Sequence, residues 1–402
     1  MKKILKIALI GIGCIVLWIG LVEALIRIFF PQPAIFHQLD PILGYVGIPG
    51  KSGWYINPSD DEFRVYLQMN KYGFRDVDHE MEKPANTYRI LFFGDSFTEA
   101  KEVDLEKTYW RLLQAGMPAL PDGRHVEVLN MAISGYSNAQ ELLMLQTRGL
   151  AFKPDLVVVA MTEFSDVWNN SQYLDCLSDG RDPANPIKPY FHIDGDTLRL
   201  GSFKLNRMDE SGFRLFRRNF QTYMYIRNLA VANPTLMRLA WRLRLVATPP
   251  TPPKLARAYP MYFDSWRADQ DQDTKWIEAY EITKRLMLEF RKTCDANATK
   301  LLVMIISSPD QIYPWYRENS ENRFPAMRQT TFEWTRPGRI MNEFLTAEGI
   351  PTLYFYPLLM EEAKRRPNDC LFFIRDLHFN PDGHRFVAEH LRSKITEMAG
   401  GG

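Results

Sequence analysis

The sequence predicts a three-layer α/β fold, a doubly wound parallel sheet, preceded by a transmembrane helix and interrupted by a helical insertion. Three observations lead to it. Apolar runs rich in β-forming residues at 88–93, 126–131, 156–161, 301–306 and 352–355 suit strands buried on both faces. Helical patterns at 109–113, 139–150 and 276–292 lie between them, and such alternation implies a parallel sheet covered on both sides. An apolar run over 7–22, extended to residue 30 with only Glu23 and Arg27 intruding, is long enough to cross a hydrocarbon core of about 30 Å.

The N-terminal run has the character of an uncleaved signal anchor over 1–30. A cleaved signal peptide has a shorter apolar region ending in a small-x-small site, and no such site precedes Pro31. Cys14, with Gly11 three residues before it, makes a poor lipoprotein processing site. Lys2, Lys3 and Lys6 sit on the short side of the span, so that end is expected to stay cytoplasmic. In a bacterium this means a single-pass protein of the inner membrane, its C-terminal domain on the periplasmic or extracellular side.

The remaining chain divides into four stretches. Residues 31–85, rich in Pro, Gly and aromatics, are expected to form an extracytoplasmic spacer; 86–170 and 271–400 carry the two parts of the α/β domain. Between them, 171–270 loses the alternation and becomes basic and aromatic. From Lys204 to Arg244 nine Lys or Arg stand against Asp209 and Glu210, and a stiff Pro-Thr linker follows at 248–253. Basic amphipathic helices with aromatic faces lie on anionic lipid, whereas a helical cap carries solvated arginines; the cap is the expectation here. With 402 residues, 46% hydrophobic and 24% charged, the chain can build one sizeable domain with additions, and a net charge of +1 gives no reason to expect nucleic acid.

Chemistry concentrates in two places. Residues 89–100 read as a buried strand that ends on Gly94 and hands Ser96 to the first amides of a helix, which sets a hydroxyl among unpaired N–H donors. Near the other end, Asp376 and His378 stand two apart in a loop before a terminal helix. A serine nucleophile needs a base to take its proton and a carboxylate to hold that base in the right tautomer, and Ser96, His378 and Asp376 are the expected catalytic residues. Asp382 and His384 repeat the spacing, but read as a helix-start turn with a surface histidine. No metal-ligand spacing is present, so neither metal nor cofactor is expected.

These stretches resemble blocks of the SGNH, or GDSL, hydrolase family. Gly94-Asp95-Ser96 is similar to its first block, residues 130–137 to its second, 160–166 to its third and 376–378 to its last, in the family's order. Residues 70–76 resemble the segment preceding the core in membrane-anchored bacterial members, and the likeness covers roughly 70–170 and 285–398. The resemblance implies a flavodoxin-like SGNH fold and an oxyanion hole formed by the backbone N–H groups of Ser96 and Gly135 and a block-three Asn side chain. That Asn position holds Ser165, and the glycine expected two residues earlier is Glu163. Loss of one oxyanion donor typically costs about 100- to 1000-fold in turnover. Ser165 is the expected third donor, with Asn138, Asn169 and Asn170 as nearby substitutes. Only Leu377 separates Asp376 from His378, one residue fewer than the family's best-known spacing.

The implied activity is that of a membrane-tethered serine esterase working through an acyl-enzyme. An O-acyltransferase acting on envelope polysaccharide would use the same residues, and a degenerate binding or assembly module would use none of them. Expected partners are an acyl-ester substrate (small ester, lipid or acylated glycan), the membrane through residues 7–30, and other envelope proteins. Cys176, Cys294 and Cys370 lie outside the span and allow one disulfide in an oxidising compartment, in any pairing.

Overall fold

A central sheet of five parallel strands organises the larger of two compact units, made of 36–52, 57–205 and 254–402. The structure is a computed structural model that describes residues 2–57, 62–117, 119–205, 220–242 and 257–400. Its strands are β1 (Thr87–Gly94), β2 (His125–Asn130), β3 (Leu156–Thr162), β4 (Lys300–Ile306) and β5 (Thr352–Tyr354). They lie in the order β2-β1-β3-β4-β5, with Ile90 beside Val128 on one side and Leu156 on the other, and Val159 beside Val303. This is the flavodoxin-like order, in which ligands bind outside the carboxyl ends of the strands.

The inner strands β1, β3 and β4 read as nearly unbroken apolar runs because both of their faces are covered. Leu91, Phe93, Val157, Val159, Val303 and Ile305 pack on one face against the helices Asn138–Thr147, Thr274–Asp295 and Arg336–Ala347. Ile90, Phe92, Val158, Ala160, Leu302 and Met304 pack on the other against Tyr109–Gly116, Phe355–Arg365 and Pro381–Gly400. Each fully buried aliphatic side chain stabilises the fold by roughly 1.5–3 kcal/mol. A residue shifted by one position along any strand changes faces, so the alternation also fixes the register.

The stretch expected to be a spacer is largely built into this unit. Strands His37–Asp40 and Gly44–Gly47 form an antiparallel hairpin whose turn is closed by Asp40, which accepts the N–H groups of Ile42 and Leu43. Leu43, Val46 and Phe74 enter the core, and Arg75 and Asp76 are buried. Large apolar residues at irregular spacing give no periodic signal, but burial of a few of them suffices to dock an irregular segment.

The smaller unit comprises the N-terminal residues to 35, residues 53–56 and the described residues 220–242. Its helix Lys2–Phe29, 28 residues and so about 42 Å long, is long and apolar enough to cross a membrane. Two helices follow, Gln221–Ala232 and Pro234–Arg242. Arg207, Arg214, Arg217, Arg218 and Arg244 of the basic run, and the Pro-Thr linker at 248–253, lie outside the described residues. All four cysteines are free thiols, Cys176 and Cys294 buried, so the disulfide that the composition allows does not form.

Candidate active site

The carboxyl end of β1 delivers Ser96 as the first residue of the short helix Ser96–Glu99. Asp95 caps that helix by accepting the Phe97 N–H at 2.9 Å. Ser96 Oγ lies 2.7 Å from His378 Nε2, and His378 Nδ1 lies 2.5 Å from Asp376 Oδ1. The loop-borne residues thus meet the β1 serine across 282 positions of chain. One intervening residue suffices, because Asp376 Oδ1 accepts both the backbone N–H of His378, at 3.0 Å, and its ring Nδ1–H. In the neutral imidazole, with Nδ1–H so donated, Nε2 is left as the acceptor for the Ser96 hydroxyl.

Three residues that sequence reasoning passed over hold this geometry. Glu62, from the expected spacer, accepts the backbone N–H groups of Ile374, Arg375 and Asp376 at 2.8, 3.0 and 2.8 Å and so fixes the histidine loop. Arg75, fully buried, donates to the carbonyls of Glu99, Ala100 and Val103 at and beyond the end of the helix Ser96–Glu99. Glu99 accepts the Ser134 N–H at 2.6 Å and its hydroxyl at 2.5 Å, and pairs with Lys101 at 3.1 Å, which ties the second block to the serine helix. The one signal available in the sequence was Glu99 itself, an acid three residues after Ser96 in an otherwise uncharged turn.

Gly135 sits next in that second loop with φ +79°, a conformation that side-chain-bearing residues rarely adopt, and a Cβ there would come within 2.8 Å of the Tyr45 hydroxyl. Tyr45 in turn donates to the Ser134 carbonyl at 2.9 Å. The peptide presenting the Gly135 N–H is therefore braced from the hairpin side.

Ser165 lies beside Asp95, its hydroxyl 3.5 Å from Asp95 Oδ2 and 3.4 Å from the Thr162 carbonyl, so its single proton faces acceptors. Asn138 donates to Glu141 and Asp166, and Asn170 to Asn138 and Thr283, in a buried network that engages both side-chain amides. Glu163 points elsewhere: its carboxyl lies against Gly338, where a Cβ would stand 1.9 Å from Oε2. Burial raises that carboxyl to about 8, so at neutral pH it is largely uncharged and does not oppose an oxyanion. His384 is buried rather than at the surface, and its Nδ1 accepts the Tyr109 N–H at 3.2 Å. Burial pushes its pKa down to about 3, which suits a neutral structural acceptor.

The electrostatics around His378 are acidic. Burial alone would lower its pKa, but the charge of Glu102, then the hydrogen bond to and charge of Asp376, then Asp95, raise it to about 9. Glu102, buried, places Oε1 3.6 Å from the same Nδ1 that Asp376 binds. Burial pushes up the pKa values of Glu102 and Asp95. Burial acts upward on Asp376 too, but its hydrogen bond to His378 and the imidazolium charge outweigh it and hold the carboxylate low. Among the described residues, Glu102, Asp376 and His378 also offer ligand atoms within 4.8 Å of one another. Two of the three are already engaged in the hydrogen-bonded series that ends on Ser96, so the group reads as an imidazole with two acids.

No protein-family model and no curated protein matches the chain. Among solved structures, similarity is found to the acetyl xylan esterase AlAXEase, with 14% identity over 76% of this chain and 99% of that one and a TM-score of 0.39. A catalytic mutant of an acetylxylan esterase from Geobacillus stearothermophilus gives 14% identity over 77% and 94%, with a TM-score of 0.37. A GDSL-like lipase from Bacteroides thetaiotaomicron VPI-5482 gives 11% over 79% and 90%, with a TM-score of 0.32. Likeness at this level carries no weight of its own beside the chain's own topology. The strand order is that of a flavodoxin-like, doubly wound α/β fold; the first three sequence blocks lie at the carboxyl ends of β1, β2 and β3, and the fourth lies in the loop before the helix Pro381–Gly400.

Proposed function

We propose that the chain is a membrane-tethered, extracytoplasmic serine esterase, and the observation that supports this most strongly is the 2.7 Å approach of Ser96 Oγ to His378 Nε2. Ser96 Oγ attacks the acyl carbon of an ester while its proton passes to Nε2. The C–O bond to the alcohol then breaks, and His378 returns the proton to the departing oxygen. Water, deprotonated by the same imidazole, then bonds to the acyl carbon, the bond to Ser96 Oγ breaks, and His378 returns the proton to Oγ as the free acid leaves. Asp376 holds the ring, and the N–H groups of Ser96 and Gly135 face the developing oxyanion. The N-terminal helix anchors the chain, with Lys2, Lys3 and Lys6 keeping its start cytoplasmic.

The full-length chain in detergent micelles, offered p-nitrophenyl acetate and longer esters, is expected to turn them over. An absence of turnover toward every ester tested, from a folded preparation, would leave the binding-module reading in its place. Addition of an oligosaccharide acceptor separates hydrolysis from transfer: free acid as the only product supports the esterase, and an acylated glycan supports the transferase.

The pH profile has a definite sign. The base must be neutral to accept the Ser96 proton, and its pKa is raised to about 9. Below that value kcat/KM is expected to climb about tenfold per pH unit, then to level above it. Glu102, Asp376 and Asp95 are the charged groups acting on the ring. Glu102→Gln removes the largest of these charges, so the midpoint is expected to move to lower pH and activity at neutral pH to rise. A midpoint unchanged by this substitution would remove Glu102 from the account.

With Ser165 turned toward Asp95 and Thr162, the proposed hole has two donors. Ser165→Asn is expected to raise kcat by about tenfold, part of the 100- to 1000-fold that a third donor is worth. Unchanged or lower kcat with the same KM would mean that another group already serves.

A further inference from the structure

We propose that the helix pair Gln221–Ala232 and Pro234–Arg242 lies in the headgroup layer of an anionic bilayer, beside the exit of the N-terminal helix; this rests on the reading of that helix as a membrane anchor. The first observation is the acid at position 23. An acid within an apolar span is costly unless partnered. Glu23 accepts the N–H groups of Gln221 and Thr222, each at 2.9 Å, and the Thr222 hydroxyl at 2.7 Å, and it pairs with Arg27 at 2.8 Å. It is therefore the cap of the 12-residue helix that begins at Gln221, where a carboxylate complements the unpaired N–H groups and the positive end of the helix dipole.

Two further contacts continue the attachment. The Phe30 and Tyr225 rings lie 5.7 Å apart, and Asn228 Nδ2 donates to Gln32 Oε1 at 2.9 Å. Contacts at 23, 30 and 32 hold the start of the pair level with the C-terminal end of the span. A membrane that receives the span thus reaches the pair as well.

The surface of the pair fits that position. Ile226 and Leu229 on one helix and Leu236 and Leu239 on the next, each pair three residues apart and so on one face, are 60%, 55%, 47% and 52% exposed. No Asp or Glu occurs in 220–242, while Arg227, Arg238 and Arg242 do, the last two exposed. Exposed leucines between arginines, without an acid, match the boundary of an anionic leaflet, where apolar side chains enter the acyl region and guanidinium groups meet phosphates.

The test replaces Leu229 or Leu239 with the photoreactive benzoylphenylalanine in the full chain, reconstituted in vesicles of phosphatidylcholine with increasing phosphatidylglycerol. Ile12 in the span and exposed Tyr66 in the larger unit receive the same probe. Lipid adducts are expected at Ile12, Leu229 and Leu239, rising severalfold with phosphatidylglycerol at the latter two, and none at Tyr66. Lipid adducts at Ile12 alone would overturn the inference while leaving the anchor intact. Protein adducts at Leu229 and Leu239 would overturn it in favour of a protein-facing surface. Absence of lipid adducts at Ile12 as well would remove the anchor and the inference together.

Discussion

Ser96→Ala is expected to lower kcat for p-nitrophenyl acetate by about 10^4- to 10^6-fold, with KM little changed. In the proposed reaction the hydroxyl is the atom that bonds to the acyl carbon, so its loss removes the acyl-enzyme route entirely. What survives is the residual rate from binding and from the N–H groups of Ser96 and Gly135, which an alanine backbone still offers. The substitution removes one oxygen from a helix start that Asp95 caps through Phe97. Thermal unfolding of the variant is therefore expected to match the parent, and a kcat within tenfold of the parent would assign the turnover to another residue.

Asp376→Asn is expected to lower kcat by about 10^4-fold. The carboxylate accepts two hydrogen bonds from His378, one from the backbone and one from Nδ1–H. An asparagine that keeps the backbone bond through its oxygen turns its amide N–H toward Nδ1, which favours the tautomer with the proton on Nε2. That nitrogen then donates to Ser96 and cannot take its proton. Glu102 stands 3.6 Å from Nδ1, beyond hydrogen-bond length, and does not replace the lost acceptor. The double variant Asp376→Asn, Glu102→Gln is expected to fall no further than the single one; an additional tenfold loss would show that Glu102 shares the orienting role.

How much of this was legible in the sequence follows from the range over which each feature is determined. Ser96 could be read because a strand, a glycine and a helix start are local, and apolar runs alternating with helical patterns announce a parallel sheet, most plainly at the buried runs of β1, β3 and β4. The convergence of Ser96 with His378 joins the helix start after β1 to the loop before the helix Pro381–Gly400. Glu62, Arg75 and Glu102 were not legible, because each acts on backbone or ring atoms brought to it only by folding. The segment 31–85 misled for a related reason: Leu43, Val46 and Phe74 are buried without periodicity, so their composition resembles a spacer. His384 reads as a surface residue because helix starts are commonly exposed, yet here the start packs against Tyr109. At Ser165 the sequence shows the residue type but not the direction of its hydroxyl, which depends on Asp95, 70 positions away.

The central claim is that the Ser96 hydroxyl is an activated nucleophile, and covalent trapping tests it without requiring the natural substrate. The full chain is treated with a fluorophosphonate, digested, and read by mass spectrometry. The account predicts one phosphonyl adduct on the peptide carrying Ser96, formed in the parent and lost in His378→Ala. An unmodified Ser96 in folded protein, or an adduct that forms equally well without His378, would contradict it.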